Sequence, residues 1–472
     1  MVDLTDVQGN ILRGYSKPYV RYLILEVANP VEARRWLAAS ISGRNDGVPQ
    51  ITPGDWGEAK PDTCFNIGLT YEGLRALGTL PSSLKMFPNE FIEGMTARAV
   101  KLGDVGPSAP ETWPSPFDQP KRIHLIATIY ANEAAQLDPV QQRALDRNAL
   151  TLLGKRDGHN FHQNVVHFGY EDNIMQPRFE GVRDRQRHPD QQPKAPLGTV
   201  LLGHRTNLEG LMWSVPQPAA LGYNGTFNAF RVLKQDVVGF EKYLDQAADD
   251  LLAHPQPNEV LSADDEAKIC RVMSVPDRHA ALRELVAANL CGRWRDGTPL
   301  ALSPDAPDPD VDRANFDYVG ESRCPYGAHI RRCNPRGGQI VQRVANNSRR
   351  LVRRGMPYGP VYDPATRNNN NQDQVEPERG LLGNFIGASL GAQFEAMACD
   401  WLNLGLQDPR ITGSDDPILG ANDPNTSWFD LPLKSGRTKR LRGLPRFVWT
   451  RGGAYTFLPS LSAIRYLGSL TT

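Results

Sequence analysis

The strongest constraint on this 472-residue chain is a pattern that recurs three times, a short β-type run passing quickly into a helical one. It occurs at 64–78 (CFNIGLTYEGLRALG), 226–244 (TFNAFRVLKQDVVGFEKYL) and 381–402 (LLGNFIGASLGAQFEAMACDWL). In the last, Leu390, Phe394, Met397, Ala398, Trp401 and Leu402 fall at helical spacing and form an apolar stripe. Further strands are expected at 19–27, 124–131, 198–203 and 446–458. Strand–helix units mixed with hairpin-like strands predict an α+β fold with antiparallel sheets and helices over one face. The length suits two or three domains. Two halves are expected, 1–215 and 216–472, meeting near 200–225.

Loops rich in Pro and Gly separate these units, at 103–120, 184–198, 301–317, 360–379 and 403–437. Long loops in a compact domain tend to carry function or to be disordered. Lys plus Arg is 53 and Asp plus Glu is 53, so the formal net charge is zero. That balance argues against a nucleic-acid partner and against a polybasic membrane-surface protein. No apolar run approaches the roughly 18 residues of a membrane span. The opening MVDLTDVQGNILRGY lacks a basic stretch followed by an apolar one, so the expected location is cytoplasmic, with secretion by another route left open. The six cysteines form no CxxC and no CxxCH of covalent haem attachment.

Four segments carry candidate chemistry. In HFGYEDNIMQPRFEG (167–181), Asp172 sits in a polar turn after two valines, and taken alone a carboxylate bonded to nearby backbone N–H groups explains it more readily than catalysis does. In CPYGAHIRRCNPR (324–336), His329 has no second histidine beside it. Cys324, His329 and Cys333 lack a fourth zinc ligand. A lone histidine is more often structural than a ligand, yet a single imidazole suits haem iron, which needs one axial protein ligand. In SRRLVRRGMPYGP (348–360), strand alternation puts Arg353 on the face of Leu351, and an inward arginine needs an anionic partner. In RGLLGNFIGASLGAQFEAMACDW (379–401), Leu382 and Phe385 are candidate pocket walls, and Glu395 is a partly buried carboxylate in want of a partner such as an imidazole N–H. His159, His162 and His167 cluster without a completing carboxylate or cysteine and are read as structural. Nucleotide-binding glycine motifs, GxSxG and HExxH are absent.

Taken in order, these segments resemble the dye-decolourising (DyP-type) haem peroxidases, and the larger C/D-type branch in their long insertions. VQGNILRGY (7–15) is similar to the family's amino-terminal signature, and GYEDNIMQPRFEG to the region of its GxxDG motif. PLGTVLLGH (196–204), NGTFNAFRVLKQDV (224–237) and LCGRWRDGTPL (290–300) match connecting segments. CPYGAHIRRCNPR resembles the haem-ligand segment and LVRRGMPYGP the distal-arginine segment, while DPILG (416–420) and 446–464 close the chain. The resemblance implies two ferredoxin-like α+β domains with one haem b in the carboxy-terminal half. It implies His329 as iron ligand, Asp172 as distal acid–base residue, Arg353 as distal arginine and Glu395 as acceptor of the His329 N–H. Two departures stand out. Asn173 replaces the second Gly of GxxDG, and Asn is the next-best residue if that position needs a positive φ. Gly383-Asn384 replaces bulkier apolar residues in the strand after Leu382.

The implied activity is reduction of hydrogen peroxide and oxidation of dyes, phenols or similar donors through an oxo-ferryl intermediate. Asp172 would move the peroxide proton and Arg353 would stabilise the charge of O–O cleavage. Trp401, Trp449, Tyr318 and Tyr455 are candidates for carrying electrons from bulky donors. The alternatives are a non-catalytic haem carrier or storage protein, which needs His329 but not Asp172 or Arg353, and a scaffolding protein that has lost haem. The oligomeric state stays open.

Overall fold

The central strands are buried along nearly their whole length, those at Leu125–Ala131 and Thr226–Gln235 most completely. The structure, a computed structural model, describes residues 2–44, 47–57, 59–145, 148–182, 194–206, 208, 211–319, 323–337, 349–363 and 376–471. The strands are β1 (Tyr19–Val27), β2 (Thr63–Leu69), β3 (Leu125–Ala131), β4 (Leu150–His159), β5 (Thr226–Gln235), β6 (Val352–Arg353), β7 (Met356–Tyr358), β8 (Gly380–Gly387), β9 (Trp428–Pro432), β10 (Thr438–Arg442) and β11 (Val448–Leu458). One sheet runs in the order β4–β1–β3–β2–β11–β5–β8–β6, with β7 also beside β8, while β9 and β10 form a separate hairpin. The pairings between these strands are antiparallel. The fold is therefore α+β with antiparallel sheets and flanking helices. Within the larger sheet β4, β1, β3 and β2 are neighbours, as are β11, β5, β8, β6 and β7, and the pair Phe457–Leu69 joins the two sets.

Helices cover the sheet where their apolar stripes demand it. Val237–Leu252 buries Phe240, Leu244, Ala248 and Leu251 at helical spacing, and Arg278–Cys291 packs in the same core through Leu282 and Val286. Both begin on an aspartate cap: Asp236 accepts the Gly239 N–H and Asp277 the Ala280 N–H. Among the described residues no helix is long and apolar enough to cross a membrane.

Two expected elements differ. The run at 198–203 is no strand. It makes one helical turn at Leu197–Thr199, and Gly203, at φ +85°, bends the chain away before it can pair. Val200 and Leu201 instead fill a small core with Val7 and Ile11. The segment after β8 is helical as expected, but its turns, Leu390–Glu395 and Met397–Asn403, are π-helical. This wider winding buries Gln393, Phe394 and Glu395 together, and Gln393 Nε2 donates to the carbonyls of Thr199 and Arg350 at 2.9 and 2.7 Å. The 103–120 loop is packed rather than loose, with Trp113 and Phe117 buried. Most of the expected loops 184–198 and 360–379 lies outside the described residues.

The sheet curls until β4 meets β7: a Cβ on Gly158 would stand 2.9 Å from Pro357 O. His167 seals this junction just ahead of the Asp172 turn. Its Nε2 lies 2.8 Å from Tyr358 O, and because a carbonyl only accepts, Nε2 carries the proton. Nδ1 is buried with no hydrogen-bond partner, and Phe161 packs edge-on at 4.7 Å. Burial, with smaller contributions from Arg379 and His159, pushes the His167 pKa down to about 4. As pH falls the unfolded chain takes up this proton first, so stability is full above about 6.5 and is lost on descent toward about 4. We expect roughly 3 kcal/mol of stability to be lost across that window. His167→Phe should flatten this part of a melting-temperature profile against pH, and an unchanged acid slope in that variant would contradict the assignment.

Candidate active site

The site is built on β8. Its neighbour β6 pairs Arg353 with Phe385 and Val352 with Ile386. Side chains alternate along a strand, so Leu381, Gly383 and Phe385 share one face and Leu382 and Ile386 the other. The first three line a cavity of about 1360 Å³ together with Arg353 and Asp172. Leu382 is 0% exposed and belongs to the core, which corrects its expected place in the pocket wall: residues three apart on a strand cannot face the same way. Gly383 has a local reason, since a Cβ there would stand 2.5 Å from the Phe385 ring.

Asp172 reaches the cavity on a tight turn. Gly169, at φ +82°, accommodates Arg295, whose Nη1 would lie 2.5 Å from an added Cβ. Asn173 has φ +62°, the left-handed conformation that Asn tolerates better than most residues. The Asp172 N–H donates to Asn164 O at 3.0 Å. Its Oδ1 lies 3.4 Å from Arg353 Nη2, and both side chains remain about half exposed to the cavity. The Arg353 N–H donates to Gln176 Oε1 at 3.1 Å, which ties the Asp172 turn to β6. The expected anionic partner of Arg353 is therefore Asp172 itself.

His329 opens the short helix His329–Cys333 and is not among the residues lining that cavity. Its Nδ1 lies 3.0 Å from Asp416 Oδ2. Asp416 is wholly buried, and its Oδ1 accepts the N–H groups of Ile418 and Leu419 at 2.9 and 2.8 Å. Burial opposes its ionisation, but the His329 charge, its hydrogen bond, Arg332 and the Leu419 N–H hold the carboxyl below the usual range. The ionised Asp416 accepts the Nδ1–H of His329, which leaves Nε2 as the ring nitrogen that a metal would take in place of its proton. Arg332, 1% exposed, donates to the carbonyls of Trp401 and Ser414 at 3.1 and 2.9 Å and so fixes the loop that carries Asp416 to the His329 helix.

Glu395 is the second correction. Arg98 binds it twice, at 3.0 and 2.8 Å, and Lys101 and Tyr455 each approach to 3.1 Å. Against the opposing effect of burial, Arg98 and Lys101 hold its carboxyl below the usual range. Glu395 is thus neutralised by neighbouring cations, and the acceptor of the His329 N–H is Asp416. The DPILG segment was visible in the sequence, but nothing there showed that its aspartate meets a histidine 87 residues away. Of the candidate electron carriers, Trp401, Tyr318 and Tyr455 are buried, and Trp449 is half-buried beneath Lys234.

The structure brings Asp172, Arg353 and Phe385 together at the cavity and His329 with Asp416 in a second cluster. Among the described residues no three His, Cys, Asp or Glu side chains gather as a metal site. The donor set on offer is one carboxylate-held imidazole, which fits an iron that brings its remaining nitrogen ligands in a macrocycle.

Residues 6–149 match the family model of the DyP dimeric alpha+beta barrel domain. Peroxidase 2 of Mycetinis scorodonius is 28% identical, over 98% of this chain and 87% of its own length. An ancestral D-type dye decolorizing peroxidase shares the fold with a TM-score of 0.79 and 26% identity, covering 99% of this chain and 100% of that one. A dye-decolorizing peroxidase in complex with 2,6-dimethoxyphenol does so with a TM-score of 0.77 and 25% identity, at the same coverage. The fold, the ordered motifs and these likenesses agree: over nearly its whole length the chain is similar to the dye-decolourising peroxidases.

Proposed function

We propose that the chain is a haem-dependent peroxidase that reduces hydrogen peroxide and oxidises phenols, dyes or similar one-electron donors. The observation that carries this reading is the Asp172–Arg353 pair, 3.4 Å apart and open to one large cavity. A haem carrier or storage protein has no use for such a pair. The family's solved member in complex with 2,6-dimethoxyphenol supports phenols as donors. The two ferredoxin-like units are proposed as 1–215 and 216–472, with haem b in the second.

His329 would hold the iron through Nε2, with Asp416 making the imidazole a stronger donor through Nδ1. Phe385 and Leu381 would supply apolar wall on the Arg353 side. Bound haem supplies an iron that takes oxidising equivalents from peroxide and passes them to donors one electron at a time. The residues of this chain handle the protons and the charge. An Asp172 carboxylate oxygen accepts the proton from one peroxide oxygen and returns it to the other, so that water can leave. The Arg353 guanidinium stabilises the negative charge that grows as the O–O bond cleaves heterolytically. Their mutual contact keeps Asp172 near Arg353 before peroxide arrives.

Because both groups serve one bond cleavage, their losses should not add. Asp172→Asn and Arg353→Leu should each slow the stopped-flow reaction with peroxide by about a hundredfold or more, while haem content stays near normal. The double variant should lose much less than the product of the two. Unchanged rates in both single variants, or strict multiplication in the double, would exclude these roles.

A second test separates the two carboxylates. Asp416→Asn should lower the iron–histidine stretching frequency of the reduced protein in resonance Raman spectra, because a neutral acceptor withdraws less of the imidazole proton. Glu395→Gln should leave that frequency in place. The reverse pattern would restore Glu395 as the His329 partner.

A further inference from the structure

Phe385 lies back along its own strand. A Cβ on Gly383 would stand 2.5 Å from Cε2 and 3.1 Å from Cζ of the Phe385 ring, so the ring covers the bare backbone two residues earlier. The Gly383 backbone does not itself demand glycine, since Gly383 is not among the residues with positive φ. Phe394 braces the ring, with centroids 5.5 Å apart and planes at 33°. Across the sheet, Phe385 stands between Ala229 of β5 and Arg353 of β6. Ala229 is 0% exposed, so that flank is packed, whereas the Arg353 side chain is 47% exposed. The open flank is therefore the one that holds the Asp172–Arg353 pair.

A phenylalanine ring chooses among three staggered χ1 positions. Any side chain at 383 blocks the present one, and the Ala229 flank is filled, so the displaced ring would turn over Arg353. Glycine at 383 thus keeps the approach to Arg353 and Asp172 wide. Leu381, on the same face, extends the apolar wall, with Leu233 opposite it on β5, and all of these residues line the cavity. An apolar wall next to a polar reacting pair suits a peroxide that carries a hydrocarbon group, since burying that group against it is favourable. Hydrogen peroxide has no such part to place there.

We propose that Gly383 and Phe385 fit this site to alkyl hydroperoxides, with the alkyl group against Phe385 and Leu381 and the O–O bond at Asp172 and Arg353. This rests on the peroxidase reading. Asp172 takes the proton from the terminal oxygen and returns it to the alkoxy oxygen, so that an alcohol leaves where hydrogen peroxide gives water. In balance, one alkyl hydroperoxide and two phenols give one alcohol, one water and two phenoxyl radicals.

The first test avoids turnover. The reduced, haem-loaded protein is titrated with methyl isocyanide and with n-butyl isocyanide, which ligate ferrous haem and differ only in the length of the alkyl chain, and binding is read from the Soret band. The butyl compound should bind at least about tenfold more tightly. Gly383→Val should weaken its binding by about tenfold and bring the two ligands to similar affinity. Gly383→Ala serves where circular dichroism shows Gly383→Val misfolded. Adding Phe385→Ala to either variant should restore the butyl preference, because the displaced ring does the blocking. In stopped flow, the same glycine variant should slow the reaction with cumene hydroperoxide at least about tenfold more than that with hydrogen peroxide. Equal affinity for the two isocyanides in the parent protein, a preference unmoved by the glycine variant, no recovery in the double variant, or equal slowing of the two peroxides overturns the proposal. A haem-loaded protein that prefers the butyl compound yet reacts with neither peroxide contradicts the peroxidase reading instead.

Discussion

The antiparallel pairing of β8 with β5 on one side and β6 on the other decides what this protein can place in its cavity. The register opposes Arg353 to Phe385 and Arg231 to Gly383. A one-residue slip would send Leu382 and Asn384 to the cavity and bury Phe385. Nothing in β6 alone could fix this, since it is two residues long. Its hold comes from β8, from the bond between the Arg354 N–H and Asn384 O at 2.9 Å, and from Gln176, which ties the Asp172 turn to the same strand. The buried ion pair of Arg231 with Asp104, at 2.6 Å, locks β5 from the other side, and removing one partner would strand a charge in the core.

The other half of the chemistry depends on burying a carboxylate without neutralising it. Asp416 achieves this with two backbone N–H groups on one oxygen and an imidazole N–H on the other. Arg332 ties its loop to the same helix that carries His329. The two clusters therefore differ in character. The Asp172–Arg353 pair is half exposed to the cavity, whereas the His329–Asp416 pair is buried at the carboxylate and suited to tuning a ligand.

Much of this was legible in the sequence, for definable reasons. The α+β class followed from the alternation of two-residue and helical periods. Asp172, His329 and Arg353 stood out through the order of their motifs over the chain, and the structure places Asp172 beside Arg353. Asn173 in place of glycine kept the turn because its φ is one that Asn tolerates. What was hidden was tertiary. Glu395 and Asp416 are equally plausible partners for an imidazole until Arg98 and Lys101 are seen to claim the first. Leu382 looked like a pocket residue because its strand is apolar on both faces, where alternation leaves no polar mark. The run at 198–203 has strand composition, but burial among Val7, Ile11 and Ile386 satisfied its side chains without a sheet.

The central claim is that one chain joins a carboxylate-held histidine to a peroxide-handling Asp–Arg pair. An absorption spectrum of the haem-loaded protein, taken before and after one equivalent of hydrogen peroxide, tests it most directly. The account predicts a Soret band typical of histidine-ligated ferric haem that shifts within the mixing time and returns when a phenol is added. A protein that takes up no haem, or whose Soret band is indifferent to peroxide, would contradict it.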